Sequence, residues 1–182
     1  MDDKLGNTEV TVDSDCLPTD IDYTVHEMAT TFKRLIRRLP GGLLGPHLFE
    51  TFRNIIFKFK LQADPAGVHQ FNPREGAVLI AMATRCEESL PRIALIWAVL
   101  GLAGVVGNET EEAKRRGNTA DLTDYRKLGY IFGPLLLGEA YENSLKNLDE
   151  VKKHRSDANL IAWVLIASWR EVVAAYRSSA FP

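Results

Sequence analysis

Apolar residues recur along this chain at helical intervals, and nowhere is there strand-like alternation of useful length. Met28, Ala29, Phe32, Leu35, Ile36 and Leu39, following Val25, keep the i, i+3, i+4, i+7 spacing of one helix face. They predict a helix over 22–39, with Asp22 as N-cap. Pro40 ends it, since the residue before proline avoids helical backbone and proline has no N–H to donate. A second helix is expected from Pro46, with Leu48, Phe49, Phe52, Ile55, Ile56 and Phe59 as its stripe, followed by a loop over 61–71. Asn72-Pro73 caps a third helix, reaching about Glu87, with Val78, Leu79, Met82 and Cys86 on its apolar face. Pro91 opens a fourth through Ile93, Ile96, Trp97, Leu100 and Val105. It is apolar nearly all round and therefore expected at the centre, with Gly101, Gly104 and Gly107 admitting close neighbours.

Beyond it, 108–118 mixes both charges and is expected as a surface loop or short helix. Asp121 or Thr119 caps a further helix, with Leu122, Tyr125, Leu128 and Phe132 on one side, broken at Gly133-Pro134. A polar, lysine-rich stretch follows, with Leu145, Leu148 and Val151 at helical spacing. A last helix is expected over 158–177. The fold class is all-α, with a polar arm over 1–22 and one helical domain over 23–182.

The first helix carries a second alignment. His26, Thr30, Lys33 and Arg37 fall in line on a different face, with Arg34 and Arg38 beside them. The expectation is a pair of aligned cations, Lys33 and Arg37, on a helix whose other face is anchored in a core. Charge alone is also met by a plainer role, because cations in a last helical turn complement the helix dipole by about 0.3–1 kcal/mol each.

Composition narrows the function. The 182 residues are 46% hydrophobic and 25% charged, which suits a globular domain with a sizeable core. A net charge of -2 argues against bulk electrostatic binding of nucleic acid. Cys16 and Cys86 lie far apart, so no disulfide framework is expected, and a reducing, cytoplasmic setting fits. No signal peptide opens the chain, and the charge-free run 93–106 is shorter than the roughly 20 residues of a membrane span. His26, His47, His69 and His154 lack the spacing of metal ligands. There is no phosphate-cradling loop and no nucleophile elbow, and Glu87-Glu88 and Glu111-Glu112 look like solvated faces. No cofactor, metal or self-contained active site is expected.

Three motifs in register change this picture. The run from His26 through Phe32-Lys33-Arg34-Leu35-Ile36-Arg37-Arg38-Leu39-Pro40 to Leu43-Leu44 resembles a signature of the RhoGAP domain, the GTPase-activating module for Rho-family small G proteins. Ser89-Leu90-Pro91 is similar to the family's Leu-Pro before its central helix. Leu128-Gly129-Tyr130-Ile131-Phe132-Gly133-Pro134-Leu135-Leu136-Leu137 resembles the stretch ending in Phe-Gly-Pro and a leucine pair. Order and spacing agree from Tyr23 to about Leu137.

The resemblance implies a RhoGAP-like helical bundle whose partner is a Rho-family small GTPase. Lys33 and Arg37 match the family's lysine and arginine that line the G-protein-facing groove. Asp121 and Lys127 stand where the family commonly has asparagines, the later of which helps bind the G protein. Gly41-Gly42 replaces the usual acid-proline pair and is expected to loosen the turn.

The family's catalytic arginine, which gives about 10³–10⁵ in rate when supplied in trans, lies on a loop before the basic helix. Residues 1–22 hold no arginine, only Lys4, so this part of the domain is missing or the chain is a fragment of a longer one. The leading expectation is a domain that binds a Rho-family GTPase without an arginine finger. The alternatives are an active activator, with Arg34, Arg38 and Arg53 the nearest arginines, and a helical scaffold with no GTPase partner. The missing first part would leave an apolar surface exposed, favouring weak homodimerisation.

Overall fold

The computed structural model describes residues 24–58, 73–117 and 123–178. These residues are 84% helical with no strand among them, so the fold is all-α. Among the described residues eight α-helices follow in order: α1 (Val25–Arg38), α2 (Gly45–Lys58), α3 (Pro73–Arg85), α4 (Leu90–Arg115), α5 (Tyr125–Phe132), α6 (Gly138–Ser144), α7 (Leu148–Ala167) and α8 (Trp169–Ser178). A 3₁₀ turn, Gly133–Leu135, joins α5 to α6. The expected caps at Asp22, Thr119 and Asp121, the loop over 61–71 and the stripe residue Phe59 lie outside the described residues.

The centre belongs to α7. It packs against α5, the 3₁₀ turn, α4 and α2, and buries Ala158, Ile161, Ala162, Leu165 and Ile166. Gly129 lets α5 press against Asn159 and Trp163 of α7, where a Cβ would meet Trp163 Cβ at 2.8 Å. The α2 stripe behaves as its spacing predicts: Leu48, Phe49, Phe52 and Ile56 are buried and Ile55 packs against them.

Several expectations are corrected. In α3 the buried residues are Ala77, Ile80, Ala81 and Thr84, while Val78, Met82 and Cys86 are exposed. The run from Ala77 to Met82 is wholly apolar, so its period could not say which residues turn inward. α4 continues through 108–115, where a loop was one expectation. Lys114 pairs with Glu111 at 3.4 Å and Arg116 with Glu112 at 3.0 Å, at spacings that support a helix. Nor is α4 buried all round. Only 33% of its most apolar window is covered, and Leu90, Leu102 and Val105 are exposed. By length and composition α4 could cross a bilayer, which the shorter charge-free run did not suggest; helices at the core of soluble proteins share that property.

The expected last helix is two helices. It starts earlier, at Leu148, and its axis turns by 63° between α7 and α8. At the break Ser168 donates through Oγ to the Val164 carbonyl at 2.7 Å, a back-bond that competes with the helical ladder and bends it. The turn sends α8 back onto α3, and Trp169 packs against Trp97 with ring centroids 4.6 Å apart.

α1 departs furthest from expectation. Its start is fixed by a capping box, Thr24 N–H donating to Glu27 Oε2 at 2.9 Å and Glu27 N–H to Thr24 Oγ1 at 3.2 Å. Of its apolar residues Ile36 is buried, but Met28 is 52% and Leu35 63% exposed, and Phe32 and Leu39 are also open. The side turned to the body carries Thr30, Lys33 and Arg37 instead. The helix is amphipathic as read, but its apolar face is not the anchored one.

Candidate functional site

Two of the stretches singled out in the sequence, 39–44 and 135–137, come together at a single turn. After α1, Pro40 and two glycines turn the chain, with Gly41 at φ 73° and Gly42 at φ 62°. The left-handed backbone at both positions suits glycine, since a Cβ would strain it. Gly42 lies against the backbone of Leu135, Leu137 and Gly138, and Gly138 itself has φ 75°. The glycine pair therefore makes the turn closely packed, not loose as expected. From there Leu43 N–H donates to the Leu135 carbonyl at 2.9 Å and Leu44 N–H to the Leu136 carbonyl at 2.8 Å. Leu43, Leu44, Leu135, Leu136 and Leu137 are all buried.

Arg92, the residue after Pro91, also reaches this turn. Its guanidinium donates to the Pro40 carbonyl at 3.0 Å and lies over Gly45, where a side chain would occupy its place. Sequence reading missed Arg92. The only signal was its position beside the Leu-Pro pair.

Lys33 and Arg37 sit one turn apart on α1, both half-buried. Arg37 reaches Glu142 of α6 at 3.0 Å, and Arg155 of α7 takes the other oxygen of the same carboxylate. Burial pushes the Glu142 carboxyl up, but the hydrogen bond and charge of Arg155, then those of Arg37, outweigh it and hold it below its ordinary value. The Arg37 side chain remains 41% exposed, so it can meet a second carboxylate without leaving the first. Its Nε is buried without a partner. Neither Glu142 nor Arg155 carried a signal in the sequence, because both lie in polar helical stretches with no motif.

Lys127 is carried by α5. It lies exposed in the first turn of α5, where its backbone N–H donates to Asp124 Oδ1 at 2.9 Å. Asp124 caps the helix and pairs with Lys114 at 3.3 Å. The principal packing partners of α1 are α6 and the 3₁₀ turn, not α5. Asp121 lies outside the described residues.

Of the alternative arginines, Arg53 is committed to Asp157 at 3.1 Å and Glu50 at 3.3 Å. Arg34 and Arg38 are exposed on α1. Among the described residues no group of three or more His, Cys, Asp and Glu residues could hold a metal ion. A cleft of about 210 Å³ between α4 and the α7–α8 junction is walled by Gly104, Tyr125 and Trp169, and the Tyr125 hydroxyl is already bonded to Asn108 at 2.7 Å.

Arg37, steadied by Glu142 and still partly exposed, can form charge-assisted hydrogen bonds to a further acidic group. Comparisons with family models, with curated proteins and with solved structures each found no match to the chain.

Proposed function

We propose that this chain is a RhoGAP-like docking domain that binds a Rho-family small GTPase without supplying an arginine finger. One observation supports this reading most. Two stretches that resemble the family in sequence, one ending α1 and one around the 3₁₀ turn, meet after Pro40 through backbone hydrogen bonds, and Arg92, the residue after the third, reaches the Pro40 carbonyl. In the resemblance the frame exists to hold the basic helix. Here Lys33 and Arg37 are the residues that would contact the GTPase, Arg37 steadied by Glu142. The engagement of Arg53 with Asp157 and Glu50, and the placement of Arg34 and Arg38 within a helix, favour docking over activation by these arginines.

The test is binding of the chain to Rho-family GTPases in their GTP-like and GDP states, alongside single-turnover GTP hydrolysis with the chain in excess. Binding without acceleration is expected, weakened at least tenfold (about 1.4 kcal/mol) by Lys33→Ala with Arg37→Ala when circular dichroism shows the helices intact. Acceleration of hydrolysis would favour an active GTPase activator instead. No binding to any member would overturn the reading.

A second reading rests on the same ion pair. Because Arg37 is bound to Glu142, its role can be internal, leaving a helical scaffold with no GTPase partner. No GTPase binding by the parent chain, with lowered stability in the double variant, would favour that scaffold.

A further inference from the structure

The outward side of α1 is amphipathic in a way the body of the protein does not use. Met28, Phe32, Leu35 and Leu39 form an open apolar stripe, and Arg34 and Arg38 lie exposed along one edge of it. A stripe with this composition calls for an occupant that is apolar and acidic together.

The chain carries such a segment immediately before the helix. Residues 1–22 hold seven acids (Asp2, Asp3, Glu9, Asp13, Asp15, Asp20 and Asp22) against the single Lys4, a net of -6. The whole chain stands at -2, so the remaining residues carry an excess of four cations. Between the acids are Val12, Cys16, Leu17 and Ile21. Reach is sufficient. Residues 13–22 can span about 33 Å when extended, against roughly 21 Å for the length of α1. The segment is also tethered at Thr24, so its effective concentration at the stripe is in the millimolar range that short linkers give.

From these observations we infer that the open face of α1 is the docking surface for the chain's own acidic segment 1–22, its aspartates beside Arg34 and Arg38 and its apolar residues on the stripe. The inference does not depend on the identity of the GTPase or on there being one. It uses the exposed edge of α1, not the side that holds Lys33 and Arg37.

The test uses the full chain with Cys86→Ser, leaving Cys16 as the single thiol to carry a nitroxide. Methyl resonances are compared with those of a diamagnetic label. Met28, Leu35 and Leu39 are expected to lose intensity while Leu102 and Val105 of α4 keep it. High salt, and Arg34→Glu with Arg38→Glu, should restore the lost intensity, because exposed charges are screened. Leu35→Asp, at an exposed position, should restore it without unfolding the helix. Full intensity on α1, or equal loss on α1 and α4, would overturn the inference. So would broadening that arises only between chains when isotope-labelled chains are mixed with nitroxide-bearing unlabelled ones, which would assign the face to a second copy. Co-sedimentation with phosphatidylserine–phosphatidylcholine vesicles, lost in Leu35→Asp and with no broadening from Cys16, would assign it to a lipid surface and equally overturn the inference.

Discussion

The guanidinium of Arg92 donates to the carbonyl oxygen of Pro40 at 3.0 Å, so the first turn of α4 holds the turn in which α1 ends. Arg92→Ala removes that donor and opens space over Gly45. A loss of about 1 kcal/mol is expected, read as a lower urea midpoint at unchanged slope. Arg92→Lys keeps the charge but not the planar fork, and should restore only part of the loss.

Gly42 and Gly117 separate two costs of adding a side chain. Both have positive φ, 62° and 83°, but Gly42 faces Leu135 O, 2.7 Å from where a Cβ would stand, and Gly117 faces nothing within 4 Å. Gly117→Ala should cost about 1 kcal/mol, the left-handed penalty alone. Gly42→Ala should cost about 3 kcal/mol or more, because the backbone hydrogen bonds of Leu43 and Leu44 must shift as well. Denaturant unfolding of the two variants side by side measures the difference.

Glu142 joins α1, α6 and α7 through Arg37 and Arg155. Glu142→Gln should destabilise by about 1 kcal/mol, a modest figure because both arginines remain well exposed to water. The carboxyl titrates below its ordinary 4.5 in the folded chain. Its contribution is therefore complete above about pH 4.5 and disappears as pH falls through the lowered folded value, since the unfolded chain then binds the proton more readily. Thermal melts from pH 6 to pH 3 should show a smaller acid-driven fall in Tm for Glu142→Gln than for the parent.

His154 gives a test of the same sign at milder pH. Its ring lies 5.5 Å from that of Phe49 and 4.9 Å from that of Tyr141, and burial, opposed by Glu142 and Asp157, lowers its pKa from 6.5. The folded state prefers the neutral ring, so stability is full above the ordinary value and declines as pH drops below it toward the folded pKa. His154→Gln should flatten stability between pH 7 and pH 5, which chemical denaturation at fixed ionic strength would reveal.

How far the sequence spoke depended on what each pattern can encode. In α2 the stripe of Leu48, Phe49, Phe52 and Ile56 named the core directly, because polar residues flank it and one solution remains. In α1 the same periodicity found the amphipathic helix but not the covering of its faces. Spacing says that Met28 and Leu35 share a side; only tertiary packing says that the side is open. The α7–α8 break was hidden for a local reason, since Ser168 is a tolerable helix residue until its hydroxyl turns to Val164. The cations Lys33 and Arg37 were legible, but their anchor Glu142 was not, because an ion pair across so much sequence leaves no periodic trace. Lys127 stands on α5, as its place in the later helical pattern implied.

The pairing of Leu43 and Leu44 with Leu135 and Leu136 also governs how the molecule opens. These two amides are buried in irregular backbone whose partners come from the far half of the chain, so fraying of a neighbouring helix cannot free them. Their exchange with solvent deuterium should require the separation of both halves at once, placing them among the slowest in the protein and making them reporters of global unfolding. A segment that would ordinarily be a loosely held connection is thus where the two halves of the domain become one cooperative unit.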